Sequence, residues 1–153
     1  MESLGVILVA AEVRVAALSA LIDDLKNTPA PAALGGSWMD NTTIVLFSEF
    51  GRTPRFNPYG GRDHHFTNSC LLVGAGVQPG VVGASSETGG QQPLTFDFDQ
   101  QAVRLEGPPT ASLRQRHITP ADIGATLLAS AGLDYGIYRD GLPLWSALTA
   151  KPY

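Results

Sequence analysis

Two short polar motifs hold the residues best suited to chemistry. In the first, Ser48-Glu49-Phe50-Gly51-Arg52, a carboxylate stands three residues before an arginine. A carboxylate can bind a cation or act as a general base, and an arginine offers a fork of donors to phosphate, sulfate or carboxylate. The simpler interpretation is a buried ion pair between Glu49 and Arg52 that braces the turn, and composition alone modestly favours it.

The second motif is Arg62-Asp63-His64-His65. Histidine and carboxylate bind zinc, manganese and iron, and carboxylate also suits magnesium and calcium. Two adjacent side chains rarely point the same way, so at most one of His64 and His65 is expected to face a site. The pattern leaves open which one, and the alternative is a polar loop whose histidines are exposed to solvent.

Both motifs adjoin predicted strands. Residues 42–47 and 70–73 are β-branched or apolar runs, typical of strands buried on both faces of a parallel sheet, which places Leu46, Leu71 and Cys70 in the core. Residues 15–25 have the apolar spacing of an amphipathic helix. The sequence therefore predicts an α/β fold with a mainly parallel sheet flanked by helices. Both motifs are expected at one edge of that sheet, where ligands bind in such folds.

The C-terminal half carries clearer local signals. Residues 94–98 and 102–105 are predicted to pair as a surface hairpin. Thr119-Pro120-Ala121-Asp122 is a helix start with a capping threonine, a proline at the first helical position and an acid at the third. Gly132 is expected to end that helix. At 153 residues, the chain fits a single domain, residues 1–153.

Composition excludes several classes of protein. The chain is 44% hydrophobic and 16% charged, as in globular proteins, and its net charge of −4 with dispersed basic residues argues against nucleic acid as a partner. The apolar segment at residues 1–11 is far shorter than the roughly 20 residues of a membrane span. It also lacks the basic start of a signal peptide, so no membrane span and no export signal are predicted in this chain.

Taken together, the motifs resemble a known family. Ser48–Pro54, Gly61-Arg62-Asp63-His64 and Ile118–Ile123 are similar to the secreted bacterial family called domain of unknown function 1501. More widely, the order of elements resembles the C-terminal half of the alkaline phosphatase/sulfatase superfamily. The resemblance covers roughly residues 13–148. It implies the C-terminal part of an alkaline-phosphatase-like fold, a fragment of a larger domain, and a periplasmic or secreted location.

The resemblance also implies an activity, which is metal-dependent hydrolysis of sulfate or phosphate esters by the complete protein. A divalent metal (zinc, manganese, calcium or magnesium) would be held by Glu49 and by His64 or His65, and Asp63 would be a further ligand or would orient the histidine. Arg52 would neutralise the anionic ester. The motifs that carry the superfamily's nucleophile have no match in the sequence, so this chain alone is expected to be inactive.

The rival interpretation is a non-catalytic secreted or cell-surface binding protein that retains the fold without a full metal site. Superfamily enzymes carry an Asp-His pair where this chain has Glu49-Phe50, and phenylalanine cannot bind a metal. Phe50 therefore favours the binding protein, whereas the retained glutamate, arginine, aspartate and histidine favour the enzyme.

Overall fold

The computed structural model describes residues 3–105 and 112–149, which fall into two compact units. The N-terminal unit comprises Met1–Ile44 with Val73–Ala75, and the C-terminal unit comprises Val45–Leu72 with Gly76–Tyr153. All the residues predicted to form a site belong to the C-terminal unit.

The N-terminal unit is built on the helix α1, Ser3–Asn27. The helix predicted over residues 15–25 is confirmed, and it extends towards the N-terminus as far as Ser3. After α1 the chain folds back, and the Trp38 N–H donates to the Thr28 carbonyl at 3.0 Å. Among the described residues, no helix combines the length and the apolarity that crossing a bilayer requires.

Seven short strands, a second α-helix and two short 3₁₀ helices (Met39–Asn41 and Trp145–Ala147) complete the described chain. In chain order the strands and the second α-helix are β1 (Thr43–Phe47), β2 (Gly51–Arg52), β3 (His64–His65), β4 (Cys70–Gly74), β5 (Phe96–Asp97), β6 (Ala102–Val103), β7 (Gln115–Arg116) and α2 (Pro120–Ser130). Strands β1 and β4 pair with each other, β2 pairs with β3, and β5 lies between β6 and β7.

The prediction of a mainly parallel sheet flanked by helices is wrong. The strands form three small sheets, and β2–β3, β5–β6 and β5–β7 all pair antiparallel. Residues 42–47 and 70–73 do become paired strands, but they are not buried on both faces. Leu46 is 56% exposed and Leu71 46%, and Cys70 is exposed as well, so the predicted burial of these three residues is also wrong. Within the described residues β1 pairs with β4 alone.

The core of the C-terminal unit lies around β5. Phe96 and Phe98 meet edge to face with ring centroids 5.1 Å apart, and they are buried together with Leu144 and Ala147. The predicted hairpin forms, because Phe96 pairs with Val103. Its prediction as a surface element was wrong for residues 95–98, which are buried, since the rings of Phe96 and Phe98 supply a large apolar area that favours burial.

Helix α2 begins as the sequence predicts. Thr119 is the N-cap, Pro120 opens the helix, and the side chains of Thr119 and Asp122 complete a capping box. The helix ends at Ser130, and Gly132 follows with the positive φ of 69° that glycine tolerates. The local signals at both ends of the helix are therefore sufficient to place it.

Asp122 does more than cap the helix. It is fully buried, and its two carboxylate oxygens accept a bidentate pair of hydrogen bonds from Arg116, both at 2.7 Å. The backbone N–H groups of Thr119 and Leu142 donate to the same carboxylate at 2.7 and 2.8 Å. Burial alone would raise the pKa of Asp122, but the hydrogen bonds from Arg116, Leu142 and Thr119 outweigh it and lower that pKa.

The two tryptophans are divided between the units. Trp38 lies in the N-terminal unit and is 39% exposed. Trp145 lies in the C-terminal unit, where its ring meets that of Tyr135 edge to face with centroids 6.0 Å apart.

Candidate functional site

The two sequence motifs meet in one structure, the β2–β3 hairpin of residues 50–66, which contains Phe50–Arg52 of the first motif and all of the second; Ser48 and Glu49 directly precede it. Arg52 lies opposite His64, and Gly51 lies opposite His65. Beyond the strands, the Thr53 N–H donates to the Asp63 carbonyl at 3.0 Å, which extends the pairing. The sequence does not predict this hairpin, because its strands are only two residues long.

A single asparagine closes the hairpin. The Asn57 N–H donates to the Gly61 carbonyl at 2.7 Å, and the Asn57 side-chain oxygen accepts from the N–H groups of Tyr59 and Gly61. An asparagine that bonds to the backbone a few residues on is a recognised turn signal. The Asn57-Pro58-Tyr59-Gly60-Gly61 segment was therefore the sequence feature that could have revealed the turn.

The two faces of the hairpin differ in exposure. Gly51, Thr53 and His65 are half-buried, whereas Arg52 and His64 are exposed. Successive side chains of a strand point to opposite faces. One face of the hairpin is therefore turned towards the rest of the C-terminal unit, and the other presents Arg52 and His64 to solvent.

His65 braces the hairpin from its inner face. Its Nδ1 accepts from the Thr67 N–H at 3.0 Å, so the ring proton resides on Nε2, which lies 2.8 Å from the Gly90 carbonyl oxygen and donates to it. The Thr67 hydroxyl donates to the Gln91 carbonyl at 2.6 Å. Both ring nitrogens of His65 are thus engaged, and its Nε2 and the Thr67 hydroxyl join this part of the chain to residues 90–91.

Replacing His65 by alanine should loosen residues 90–91 without affecting the solvent face. The change removes both bonds of the ring, so we expect a loss of about 1–3 kcal/mol in the free energy of unfolding. Amide exchange at Thr67 should accelerate, because its N–H loses its acceptor. His64→Ala is the matched control and should leave that exchange rate unchanged; equal acceleration in both variants would contradict the assignment.

Asp63 and Ser48 are also engaged within the fold. The Asp63 Oδ1 accepts from the Asn57 side-chain amide at 2.8 Å, and the Asp63 N–H donates to the Thr53 hydroxyl at 3.1 Å. The Ser48 hydroxyl donates to the Phe50 carbonyl at 2.8 Å. These side chains shape the turns on either side of the hairpin strands.

Phe50 supports the solvent face of the hairpin, which presents Arg52 and His64. Its ring stacks on the His64 ring, with centroids 3.6 Å apart and planes inclined by 18°. The guanidinium carbon of Arg52 lies 4.6 Å from the centroid of the same Phe50 ring. Phe50 stands where the superfamily resemblance implies a metal-binding histidine. In this chain it instead orients one imidazole and one guanidinium.

The Arg52 guanidinium is held without a carboxylate. Its Nη1 donates to the Arg62 carbonyl at 2.9 Å. Across residues 3–105 and 112–149, the ion pairs are those of Arg114 with Asp99 and of Arg116 with Asp122. The predicted ion pair between Glu49 and Arg52 is therefore not formed.

The local charge of the hairpin is opposite to that of the chain. Residues 50–66 contain three arginines and one aspartate, whereas the whole chain has 10 basic and 14 acidic residues. The basic residues, which look dispersed along the sequence, are thus partly gathered by this hairpin. A locally positive surface on an acidic protein attracts anions selectively to that surface.

The predicted metal ligands do not fit a closed metal centre as they are arranged. No group of three or more histidine, cysteine, aspartate or glutamate side chains gathers in the described part of the chain. His65 and Asp63 already make the hydrogen bonds given above. Of the four predicted ligands, Glu49 and His64 are therefore the two whose side chains are not held in this way. A catalytic zinc site uses three protein ligands and a structural one four. The divalent metal stays a prediction.

Comparison with known proteins settles the family. The model of the family described as "Protein of unknown function (DUF1501)" matches residues 12–98, more than half of the chain. The chain belongs to the DUF1501 family. The matched part of this DUF1501 chain includes the whole β2–β3 hairpin and ends before α2. No curated protein and no solved structure gives a significant match. The wider relation to the alkaline phosphatase/sulfatase superfamily stays a prediction.

Proposed function

We propose that the solvent face of the β2–β3 hairpin binds the oxyanion of a sulfate or phosphate ester. The observation that carries the proposal is the state of Arg52. Its guanidinium is exposed, fixed by the Arg62 carbonyl and the Phe50 ring, and paired with no carboxylate among the described residues.

The chemistry of Arg52 suits this ligand. A guanidinium has five N–H donors in a rigid fork, and the bond to the Arg62 carbonyl uses only one of them. The remaining donors match the spacing of two oxygens on a sulfate or phosphate. Because Phe50 already restricts the side chain, less conformational entropy is lost on binding than for a free arginine.

His64 is the second recognition group of the proposed site. It lies directly across the strands from Arg52 and stacks on the same Phe50 ring. Its ring nitrogens make no hydrogen bond within the described residues, so an N–H of the ring can donate to a further oxygen of the ligand. Arg52 and His64 then hold the anion from two sides.

The proposed function is binding rather than cleavage by these residues. Ester hydrolysis by covalent catalysis needs a hydroxyl within reach of a general base. In the acidic motif the Ser48 hydroxyl donates to the Phe50 carbonyl, and His65 of the second motif has both ring nitrogens engaged. These contacts support the non-catalytic alternative for this chain over metal-dependent hydrolysis.

The decisive measurement is a calorimetric titration of the chain with 4-nitrophenyl sulfate and 4-nitrophenyl phosphate at low ionic strength. We expect Arg52→Ala to weaken binding at least about tenfold, because a hydrogen bond to a charged group contributes roughly 1.5–3 kcal/mol. Arg52→Lys should recover only part of the affinity, since an ammonium lacks the planar fork. Arg139→Ala, an equal loss of charge at an exposed residue outside the hairpin, should have no effect.

The same esters report turnover through release of nitrophenolate. No release above the buffer blank is expected, with or without added zinc or manganese. Binding that is insensitive to Arg52→Ala would refute the proposed site. Metal-dependent release that Glu49→Gln and His64→Ala abolish would instead favour the hydrolase.

A further inference from the structure

The hairpin carries a second unit built like the first. The Arg62 guanidinium carbon lies 4.9 Å from the centroid of the Phe56 ring, much as Arg52 lies 4.6 Å from that of Phe50. Arg52 also contacts the Arg62 backbone, so the two units are adjacent. Neither arginine pairs with a carboxylate among the described residues. Two neighbouring cations without counter-charges favour a ligand with more than one anionic group.

Exposed aromatic rings lie in the hairpin that carries the two arginine units. Tyr59, at the tip of the hairpin, is 96% exposed, Phe66, just after β3, is 93% exposed, and Phe56 is 69% exposed. Exposed apolar side chains scattered singly are ordinary, but several of them within one short hairpin indicate a binding surface. The flat faces of these rings can cover the apolar faces of a ligand.

We propose that the β2–β3 hairpin binds an acidic polysaccharide whose anionic groups are spaced along the chain rather than present on every unit. This inference rests on the proposed function, because one anionic group occupies the Arg52 site. That group is a sulfate ester or a carboxylate, since the paired oxygens of either match the guanidinium fork. A second anionic group contacts Arg62. The sugar rings between and beyond these two anionic groups lie against the exposed faces of Tyr59 and Phe66.

Charge density decides between an acidic polysaccharide and a nucleic acid. Duplex DNA carries one negative charge per about 1.7 Å of its axis, and its partners present broad basic faces. This chain has a net charge of −4 and only three arginines on the hairpin. A densely charged polymer would be repelled by most of the protein surface, whereas a polymer with widely spaced charges needs only two cationic contacts.

The test compares defined ligands with the full chain. The probe is an oligosaccharide of alternating glucuronate and N-acetylglucosamine units, which carries a carboxylate on every second sugar. Its controls are the monosaccharide glucuronate, a neutral N-acetylglucosamine oligomer, single-stranded DNA and an acidic peptide of similar length. We expect the oligosaccharide to bind at least about tenfold more tightly than glucuronate, because two linked contacts reinforce each other.

Single substitutions separate this inference from the proposed function. Arg62→Ala and Tyr59→Ala should each weaken binding of the oligosaccharide several-fold or more. Tyr59→Ala should leave the affinity for 4-nitrophenyl sulfate unchanged. Arg62→Ala keeps the backbone carbonyl that holds Arg52, so it should reduce that affinity far less than Arg52→Ala does. Arg52→Ala should weaken the binding of both ligands. Arg139→Ala again serves as the charge-matched control and should change neither.

The possible outcomes differ for the two proposals. If nitrophenyl sulfate binds through Arg52 but the oligosaccharide binds no more tightly than glucuronate, the polysaccharide inference is overturned and the proposed function stands. Tighter binding of single-stranded DNA or of the acidic peptide than of the oligosaccharide also overturns it. If none of the anions binds, both proposals fail together.

Discussion

Replacing Asp122 by asparagine should lower the free energy of unfolding by about 3–5 kcal/mol, the usual cost of breaking a buried ion pair by removing one partner. Asp122 is 0% exposed, and Arg116 keeps only 18% of its side-chain exposure. The asparagine would leave the guanidinium without its counter-charge. It would also turn an amide N–H₂ towards backbone N–H groups that now donate to the carboxylate. Urea denaturation followed by circular dichroism measures the effect.

The chain contains a matched control for this experiment. Arg114 and Asp99 form an ion pair with the same 2.7 Å separation, but their side chains are 58% and 61% exposed. Exposed pairs contribute roughly 0–1 kcal/mol, so Asp99→Asn should cost far less than Asp122→Asn. Equal costs for the two variants would show that burial does not make the Asp122 pair special.

The contribution of Asp122 to the free energy of unfolding should also depend on pH. Because the fold lowers the pKa of Asp122, its stabilising effect is fully present above the unfolded-state pKa, about 3.9, and is lost as the pH falls through the lower folded-state pKa. The difference in unfolding free energy between the unmodified chain and Asp122→Asn should therefore be constant near neutral pH and shrink below about pH 4. If this difference in unfolding free energy instead grew on acidification, the lowered pKa of Asp122 would be contradicted.

Replacing Gly51 by alanine should disrupt the β2–β3 hairpin. A Cβ atom at Gly51 would overlap the Thr67 carbonyl oxygen, which is backbone and cannot rotate away. Thr67 is itself fixed through its bonds with His65 and Gln91. Overpacking of this kind costs about 1–3 kcal/mol or more, and relief requires a shift of β2 against β3. Since Arg52 follows Gly51 directly, we expect the affinity for 4-nitrophenyl sulfate to be lost as well.

Gly61 provides the control on the same hairpin. An added Cβ there would meet only the Asn57 side chain at 3.6 Å, an ordinary contact. Gly61→Ala should therefore change stability by less than about 0.5 kcal/mol and retain anion binding. If Gly51→Ala changed stability and anion binding as little as Gly61→Ala, the close approach of Thr67 to β2 would not exist in solution.

Local signals predicted local structure well. The capping residues at Thr119 and Asp122 placed the start of α2, and the apolar pattern of residues 94–105 indicated the β5–β6 pair. Sheet architecture was not predictable in the same way. The apolar runs at residues 42–47 and 70–73 specify strands, but whether such a strand is covered on one face or two depends on distant segments that the run itself does not encode.

The candidate site was predictable in its residues but not in their roles. The motifs singled out Arg52 and both histidines, yet the difference between His64 and His65 depends on the Gly90 carbonyl, 25 residues beyond His65. Phe50 was interpreted only as a missing ligand, although it orients Arg52 and His64. The pair of Arg116 with Asp122 was missed because a helix-capping acid already explained the aspartate.

The division of the two tryptophans between the units gives each unit its own optical probe. Trp38 belongs to the N-terminal unit, and Trp145 meets Tyr135 in the C-terminal unit. Fluorescence of a Trp38→Phe variant therefore follows the C-terminal unit alone, and that of a Trp145→Phe variant follows the N-terminal unit. Coincident melting curves would identify one cooperative transition, whereas separate curves would resolve two, each with its own midpoint.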